Sequence, residues 1–515
     1  MSVPAIFTRR QAFGLVAAAV AMTGAGSRNA FASATFGDPQ PFSATDVEAI
    51  ARAMAAKPYM MPKTVPDPWL KLNYDQYRDI RFLPDRAIWR DEGRPFEIQL
   101  FAPGFYFRTG VMIDVVEDGQ SRPILFNPDL FSFGPVVPDL PIDAQLGFSG
   151  FRLHGHINRD DYMDEFVVFQ GASYFRAVAK GQNYGLSARG LALNTAESQG
   201  EEFPMFRRFW IEVPGPDATS VTVHALLDSE SVTGAYRFVI APGDDTVMDC
   251  SLVLFPRVEL NHVGIAPLTS MFMFDPKLAK RFDDFRVAVH DSDGLSIHNG
   301  NDEHLWRPLA NPLQLQVSNF LDTNPKGFGL MQRHRNFRDF GDLEASYEGR
   351  PCLWIEPDGE WGRGAVSLVE IPTDEEFNDN IVAYWRPSEP MEPDSEHRFA
   401  YRAVWGKGPR PDPDIARVAS TAFGKHPKKG RLAVVDFSAP ESGRIPADKL
   451  TYDIHVTGGT LLNAVVHDND KTGGTRVAFS FDPGAAETVE LRAQLRHEMR
   501  PVSEVWLFRW TSAPQ

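Results

Sequence analysis

Four carboxylates crowd one short turn of this chain, directly before an apolar segment that ends in two aromatic residues. The stretch VEIPTDEEFNDNIVAYW, 369–385, contains them in the order Asp374, Glu375, Glu376, Asp379, Tyr384 and Trp385. A carboxyl group kept protonated beside a sugar-stacking surface is suited to cleaving a glycosidic bond, because it can protonate the leaving oxygen. The alternative is a solvated loop, since acids with Pro and Asn commonly decorate turns.

A second candidate acid lies in FRVAVHDSDGL, 285–295. Period-two alternation predicts a strand followed by a turn. The residues predicted on one side of that strand are Phe285, Val287, Val289 and Asp291. The same alternation aligns Asp379 with Ile381, Ala383 and Trp385. Asp291 and Asp379 are therefore predicted at strand ends that face one cleft, with one carboxyl protonated and the other ionised.

This two-carboxylate hypothesis can be overturned by geometry. With 68 acidic residues in the chain, many acids lie at strand ends by accident. Inversion at the sugar is expected if the two carboxyl groups stand more than roughly 6.5 Å apart. Burial of either Asp291 or Asp379 in a separate salt bridge, or an orientation toward opposite surfaces, would leave only a sugar-holding protein.

Tyr and Trp side chains in turns or at strand ends offer a flat apolar face and a hydrogen bond, which suits a sugar. The candidates are Tyr174, Tyr184, Trp306, Tyr347, Trp361 and Tyr384. Core packing is the alternative role for each of them. Four arginines are predicted to orient the carboxylates or to donate to sugar hydroxyls. They are Arg207, Arg208, Arg333 and Arg335.

Other chemistries find little support in the residues. His154 and His156 in LHGHIN share one strand face, but no further ligand is recognisable, so we expect two hydrogen-bonded surface histidines and no metal. No glycine spacing matches a dinucleotide-binding loop, and no cofactor is predicted. A formal net charge of -16 disfavours nucleic acid as a partner. Two cysteines, Cys250 and Cys352, exclude a disulfide scaffold by number and leave their own pairing open.

Most elements that must position these residues are predicted to be short strands. Segments such as FEIQLFAPGFYF and SVTVHALL alternate with period two between turn residues, and no βαβ rhythm appears, which predicts stacked antiparallel sheets. One helix is predicted in SATDVEAIARAMAA, with Thr45 and Glu48 at capping-box spacing. Its apolar face is predicted to contain Val47, Ile50, Ala51 and Met54. A second short helix is predicted at 275–284, capped by Asp275.

Composition divides the chain into four parts. Residues 1–34 carry paired Arg9 and Arg10 before an Ala-rich run, which indicates a twin-arginine signal and a periplasmic protein without a membrane anchor in its mature form. Residues 35–406 are predicted to form one large β-sandwich. The proline-containing stretch KGPRPDPDIAR, 407–417, is predicted to be a semi-rigid linker. Residues 418–515 fit a small immunoglobulin-like sandwich.

Several long motifs resemble one known family, the osmoregulated periplasmic glucan biosynthesis proteins G and D. The motifs include EHLWRPLANP, NPKGFGLMQRHRNFRDFGDLEASYEGRP and GEWGRGAVSLVEIPTDEEFNDNIVAYW, and the resemblance covers essentially the whole mature chain. The twin-arginine segment resembles the D branch. The resemblance implies a galactose-mutarotase-like N-terminal β-sandwich joined to an immunoglobulin-like one, and a functional link to an inner-membrane glucan synthase.

The resemblance also implies action on the β-1,2-glucan backbone, as an inverting glycoside hydrolase or transglycosylase. By motif, Asp379 matches the general acid, and Asp291 matches the base, reached through a hydrogen-bonded chain. Tyr347 and Glu376 match residues that support this chain. The other acids of the turn would form a negative cleft wall that keeps Asp379 protonated. The alternatives are a non-catalytic chaperone that presents nascent glucan to other enzymes and, more distantly, a β-glucan binding module.

Overall fold

The computed structural model describes residues 34–410 and 412–512. Arg9 and Arg10, on which the predicted export signal rests, lie outside the described residues. Among the described residues, no helix is both long and apolar enough to cross a membrane.

Strands dominate the described residues, which also contain three α-helices: α1 (Ala44–Ala55), α2 (Asp67–Leu70) and α3 (Tyr74–Arg78). The first strands are β1 (Gln40–Pro41), β2 (Ile80–Phe82), β3 (Phe96–Phe101), β4 (Met112–Glu117), β5 (Gln120–Pro123), β6 (Phe131–Phe133), β7 (Gly150–Arg159), β8 (Tyr162–Gln170), β9 (Tyr174–Ala177), β10 (Ser187–Arg189), β11 (Ala192–Leu193) and β12 (Met205–Glu212). The next are β13 (Val221–Asp228), β14 (Val232–Ala241), β15 (Thr246–Pro256), β16 (Val263–Ser270), β17 (Phe272–Phe274), β18 (Val289–His290), β19 (Gly294–His298), β20 (His304–Pro308), β21 (Gln316–Thr323), β22 (Gly327–Met331), β23 (Cys352–Asp358) and β24 (Arg363–Glu370). The last are β25 (Ile381–Pro387), β26 (His397–Gly406), β27 (Val418–Lys425), β28 (Arg431–Phe437), β29 (Thr451–Thr457), β30 (Thr460–Asn469), β31 (Gly474–Asp482), β32 (Thr488–His497), β33 (Arg500–Pro501) and β34 (Val505–Thr511).

Two large sheets enclose the main core, and the all-β sandwich prediction is confirmed. One sheet follows the order β1-β5-β4-β12-β13-β14-β15-β26-β23-β22-β19-β20-β34-β32-β29, and the other follows β21-β24-β25-β16-β10-β9-β8-β7-β3. Phenylalanines join them: the ring centroids of Phe169 and Phe175 in the second sheet each lie 5.3 Å from that of Phe238 in the first. Burial of each such ring stabilises the fold by about 1.5–3 kcal/mol. The likeness to galactose mutarotase stays a prediction from the resemblance.

The C-terminal segment forms a smaller sandwich that is continuous with the large one. A four-stranded sheet, β27-β28-β31-β30, packs against β32 and β34, with Val435, Phe479, Leu491 and Trp506 buried between them. Strand β34 also pairs in parallel with β20, so the larger sheet of the main body extends into this segment. The boundaries at 406 and 418 and the immunoglobulin-like label stay predictions.

The first predicted helix is present as α1, although its cap differs from the prediction. The N-cap is Ser43, two residues before Thr45, and the Ser43 N–H donates to the Asp46 carboxylate at 2.6 Å, so Thr45 and Glu48 are not the capping pair. Val47 and Ala51 are buried, whereas Ile50 is 38% exposed.

The second predicted helix, at 275–284, is wrong. The segment contains only a single 3-10 turn, Ala279–Arg281. The Asp275 carboxylate does accept from the Lys277 N–H at 2.9 Å, as a cap would. After the turn, the Asp284 carboxylate accepts from the Arg286 N–H at 2.9 Å, a local bond of the kind that competes with helical hydrogen bonding.

The strand predicted over 285–291 is also wrong. Only Val289 and His290 are in strand geometry, as β18, while Phe285 and Val287 are exposed. The preceding residues form an irregular loop because the Arg286 side chain is tied to acidic groups rather than to a neighbouring strand. Alternation therefore does not determine where Asp291 points.

Gly294 is required at the start of β19 by a close ring. A Cβ atom at this position would lie 2.2 Å from the Trp306 ring, and that ring is covered by the Arg333 guanidinium at 3.5 Å. We therefore expect Gly294→Ala to destabilise the protein by about 1–3 kcal/mol, measured as a lower denaturant midpoint. Gly215→Ala is the control because nothing lies within 4 Å of its added Cβ. Equal midpoints for the two variants would contradict this account.

Candidate active site

One short backbone segment brings the two predicted aspartates into the same neighbourhood. Between β16 and β17, the Met271 carbonyl accepts from the Asp291 N–H at 2.9 Å. The next residue, Phe272, donates its N–H to the Asn380 side-chain oxygen at 2.8 Å, and its carbonyl accepts from the Asn380 side-chain nitrogen at 3.0 Å. Asp379 directly precedes Asn380. The segments that contain Asp291 and Asp379 are thus bonded to two consecutive residues, Met271 and Phe272.

Asp291 is fully buried in an ion pair. Its carboxylate contacts the Arg350 guanidinium, and the exposed fractions of the two side chains are 0% and 1%. The neighbouring His290 is also buried, which lowers its pKa to about 4 and keeps the imidazole neutral near pH 7. A salt bridge of this kind counts against free access of solvent or substrate to Asp291.

The ion pair is continuous with the carboxylate-rich turn. The Arg350 guanidinium carbon lies 4.0 Å from the centroid of the Tyr347 ring. The Tyr347 hydroxyl in turn donates to a Glu376 carboxylate oxygen at 3.3 Å. Asp291, Arg350, Tyr347 and Glu376 therefore form one connected cluster, which we call the relay cluster. The salt bridge of Asp291 lies inside this cluster rather than at a separate place in the fold.

Arg286 organises the outer side of the relay cluster. Its guanidinium donates to Glu376 at 2.5 Å, to Asp342 at 3.0 Å and to Asp284 at 2.7 Å. These contacts raise the pKa of Arg286 above its ordinary value even though burial opposes them. Three loops, each supplying one of the carboxylates, converge on this one guanidinium.

The turn before β25 is therefore not a uniformly negative wall, and that expectation is corrected. Glu376 is neutralised by Arg286, and Asp374 lies 3.4 Å from the Arg281 guanidinium. Alternation along the sequence cannot reveal these partners because both arginines come from the loop that was predicted to be helix and strand.

Asp379 is partly buried and borders a second group of polar residues. The charge of Asp379 is one of the causes that raise the pKa of Tyr174 to about 12, after burial, which is the largest. The Arg189 guanidinium lies 5.0 Å from the Tyr174 ring centroid and donates to Glu201 at 2.5 Å and to Thr269 at 2.9 Å. Asp379 thus has a partly buried tyrosine and a buried arginine near it.

The four arginines predicted to orient the catalytic carboxylates have other partners, so that part of the prediction is wrong, while their donation to sugar hydroxyls stays a prediction. Arg207 donates to Asp228, and Arg208 donates to Asp114 through two nitrogens at 2.8 and 2.6 Å. Arg333 reaches the C-terminal segment, where both of its terminal nitrogens donate to Glu504 at 2.9 and 2.6 Å. Arg335 donates to backbone carbonyl groups and to a cysteine sulfur. Arg207 and Arg208 pair with acids of the strands next to β12, whereas Arg333 and Arg335 lie in the loop after β22, and the sequence reveals neither arrangement.

Most of the predicted sugar-stacking rings are buried. The exposed fractions are 0% for Tyr384, 1% for Tyr347, 4% for Trp306 and 6% for Trp361. Tyr384 donates to or accepts from His262 at 2.8 Å, and Trp361 donates to the Ala400 carbonyl at 3.2 Å. These rings brace the sheets rather than present a face to solvent. Among the predicted rings, Tyr174 is the one coupled to Asp379, while the electrostatic neighbours of Tyr184 are Glu165, Arg176 and Arg152.

Three residues of the candidate site were not predicted from the sequence: Arg350 of the relay cluster, Arg286, which contacts Glu376, and Asn380, which adjoins Asp379. Each had a signal. Arg286 lies two residues after an acid in DDFR, Arg350 ends the motif EASYEGR, and Asn380 adjoins the predicted acid. Their importance depends on contacts between distant loops, which no local pattern encodes.

The histidine and cysteine predictions divide. His156 is exposed as expected, but His154 is 7% exposed, so it is a buried histidine rather than a surface one. Its ring nitrogen lies 3.2 Å from the Met163 carbonyl oxygen. Within the described residues, no group of three His, Cys, Asp or Glu is placed to hold a metal ion. Cys250 and Cys352 are buried and free.

Asp293 and His334 form a pH-sensitive pair beside the relay cluster. The His334 ring nitrogen lies 2.6 Å from the Asp293 carboxylate, a bond that raises the pKa of His334 and outweighs its burial. Burial opposes ionisation of Asp293, but the bond from His334 outweighs it and lowers the pKa of Asp293 below 3.8. A raised histidine pKa gives stability that is complete below about pH 6.5 and lost at higher pH, and a lowered aspartate pKa gives stability lost only in acid. The pair therefore stabilises the fold most between about pH 4 and 6.5.

Asp293→Asn tests this pair. The variant should move the His334 titration midpoint to lower pH, because the neutral amide no longer favours the imidazolium. The midpoint can be followed by NMR of histidine-labelled protein. Asp161→Asn, on an exposed hairpin, is the control that should leave it in place. An unchanged midpoint in the Asp293 variant would contradict the assignment.

Two cavities lie elsewhere in the fold. One, of about 400 Å³, adjoins α1 and is lined by residues that include Glu48, Arg237 and Asp358. The other, of about 190 Å³, lies beside the C-terminal segment and is lined by residues that include Arg333 and Glu504. Neither is lined by a member of the relay cluster, so neither is the predicted cleft.

The fold and the cluster define a large all-β protein in which distant segments share one group of acidic, tyrosine and arginine side chains. A model of the family described as "Periplasmic glucan biosynthesis protein, MdoG" matches residues 42–510. The chain belongs to this family of periplasmic proteins, whose role is in glucan biosynthesis.

Curated relatives agree with this assignment. Glucans biosynthesis protein G of Bradyrhizobium diazoefficiens is 50% identical over 505 residues, which cover 98% of this chain and 99% of the relative. Glucans biosynthesis protein G of Vibrio cholerae serotype O1 is 50% identical over 476 residues, which cover 91% and 87%. These relatives bear the G name, and the likeness to the D branch is a minor point that rests on the N-terminal segment.

The similarity of this chain to solved structures is weak. A GH36 α-galactosidase from Geobacillus stearothermophilus, in complex with raffinose, matches with a TM-score of 0.24 and 7% identity. The match covers 50% of this chain and 39% of that one. A similarity at this level does not bear on activity.

Proposed function

We propose that this protein acts on the β-1,2-glucan backbone of periplasmic glucans, as an inverting glycoside hydrolase or transglycosylase. The relay cluster is the observation that carries the proposal. The Asp291 carboxylate pairs with Arg350, and Arg350 lies over the Tyr347 ring. The Tyr347 hydroxyl donates to Glu376, which lies three residues before Asp379. The hydrogen bond between Tyr347 and Glu376 is suited to supporting a proton path, while Arg350, a donor that stays protonated, holds Tyr347 and Asp291 in place.

In the proposed mechanism, Asp379 is the acid and Asp291 is the base. Asp379 gives its proton to the glycosidic oxygen as the bond from that oxygen to the anomeric carbon breaks. A water molecule or sugar hydroxyl attacks the anomeric carbon from the opposite face and loses its proton toward Asp291 through intervening water or sugar hydroxyls, and Tyr347 and Glu376 support this chain. In this role Asp291 would act while its carboxylate contacts the Arg350 guanidinium.

The burial of Asp291 favours a second candidate function. A carboxylate with no exposed surface and an arginine partner is also a common structural device, and a glucan-holding chaperone needs no base. In that case the protein would grip the nascent backbone and present it to other enzymes.

Incubation with linear β-1,2-glucan separates these functions. An enzyme will produce new reducing ends, or cyclic or transferred products, whose anomeric configuration can be followed by NMR. A chaperone will bind the polymer with measurable affinity and leave it unchanged. Unchanged polymer over long incubation would overturn the catalytic proposal.

A further inference from the structure

Large apolar side chains project into solvent directly beside the relay cluster. Phe285 is 85% exposed, Leu343 is 84% exposed and Val287 is 44% exposed. We call these three residues the apolar lip. Phenylalanine lacks a polar group, so near-complete exposure leaves its whole ring in water. Clustered exposed apolar groups commonly mark a binding surface.

The outward direction of the lip follows from its anchored neighbours. Phe285 and Val287 flank Arg286, whose guanidinium is drawn inward by Glu376 and Asp342. Leu343 follows Asp342, which is 8% exposed and accepts backbone N–H bonds at 2.8 and 2.9 Å. Because these polar neighbours point into the protein, the apolar side chains are held outside it.

The two loops of the lip are also joined to each other. The Val287 N–H donates to the Phe340 carbonyl at 3.1 Å, and Phe340 itself is fully buried. A lip held by a backbone hydrogen bond and by ion pairs needs little ordering when a ligand binds, which favours affinity.

The chemistry around the lip indicates a neutral partner. Exposed acids lie on the same loops and on the turn that Arg286 contacts. They are Asp283, Glu344, Asp374 and Glu375. Asp374 is paired with Arg281, and Lys280 and Arg338 are exposed on the same loops, so the rim carries charges of both signs and offers an anionic lipid surface or a nucleic acid no net attraction. A neutral sugar chain is not repelled, and the C–H face of a pyranose ring is apolar enough to cover an aromatic ring.

We infer that the apolar lip binds glucosyl residues of the glucan chain where the chain leaves the candidate carboxylates, with the Phe285 ring against a sugar face. The inference rests on the proposed glucan substrate, and it assigns to Phe285 the role of a chain-length determinant. Glu376 and Phe285 are linked through one arginine, so a chain long enough to extend past the relay cluster will reach the lip, whereas a short oligosaccharide will not.

The test measures binding separately from turnover. Affinities for a long linear β-1,2-glucan and for a short oligosaccharide are determined by calorimetry for Asp379→Asn and for the same protein with Phe285→Ser added. The added change should weaken binding of the long chain by about tenfold and leave the short one unaffected. Leu321→Ser, at an 86% exposed position in β21, is the matched control and should change neither affinity.

The outcomes distinguish this inference from the proposed function. Equal long-chain affinity with and without Phe285, or an equal loss in the Leu321 control, would overturn the lip even if the wild-type protein cleaves glucan. A selective loss at Phe285 in a protein that never turns glucan over would support the lip and overturn the hydrolase. Absence of any glucan binding by the wild-type protein would overturn both.

Discussion

Asp379→Asn should abolish turnover of β-1,2-glucan while leaving the polymer bound. The amide has nearly the shape of the carboxyl group but cannot supply the acid proton, and removal of a general acid costs about 10²- to 10⁴-fold in rate. Because Asn380 rather than Asp379 makes the bonds to Phe272, the turn should keep its position in this variant. The rate of appearance of reducing ends and the affinity measured by calorimetry report the two effects separately.

Asp161→Asn is the matched control for that experiment. It makes the same chemical change on an exposed hairpin, where the side chain is 81% exposed, and should leave the rate unchanged. Wild-type turnover in the Asp379 variant would exclude this residue as the acid. Loss of binding together with turnover would instead indicate a binding role.

Arg350→Met should be among the most destabilising substitutions of a single side chain. It removes the ion-pair partner of a fully buried carboxylate and the hydrogen bond at 3.1 Å to the Ala345 carbonyl. Breaking one side of a buried pair costs about 3–5 kcal/mol, because the remaining charge stays in a medium that solvates it poorly. The denaturant midpoint measures the loss.

A double variant identifies the cause. Adding Asp291→Asn to Arg350→Met removes the buried charge, so part of the lost stability should return, which a simple packing defect would not allow. Arg363→Met is the control, since Arg363 is 75% exposed and pairs with an exposed Glu389, an interaction worth about 0–1 kcal/mol. Similar midpoints for the Arg350 and Arg363 variants would refute the buried-charge explanation.

The sequence predicts the architecture better than it predicts the site. Strand alternation and turn residues reflect burial on one face of a sheet, a local property, and they give the all-β sandwich and α1 correctly. The strand prediction is wrong at 285–288 because Phe285 and Val287 alternate with less apolar residues, as in a strand, but face solvent. Alternation records which residues differ in polarity and not what lies across from them.

The candidate site depends on contacts between distant loops. Family resemblance selected Asp291, Tyr347, Glu376 and Asp379, and the fold brings the first three into one connected cluster. Arg350 and Arg286 were not predicted, and four other arginines were predicted in their place, because arginines in polar segments share the same local sequence pattern. Only the tertiary fold determines which carboxylate each one meets.

The parallel pairing of β20 with β34 has a consequence for how the chain can be shortened. A protein that ended after Gly406 would leave the outward N–H and C=O groups of β20 without a neighbour and would uncover the Trp306 ring. An uncapped strand of this kind is a template for pairing with other molecules. The C-terminal segment thus protects the large sandwich from self-association, and the proline-containing stretch before it is a poor place to divide the protein.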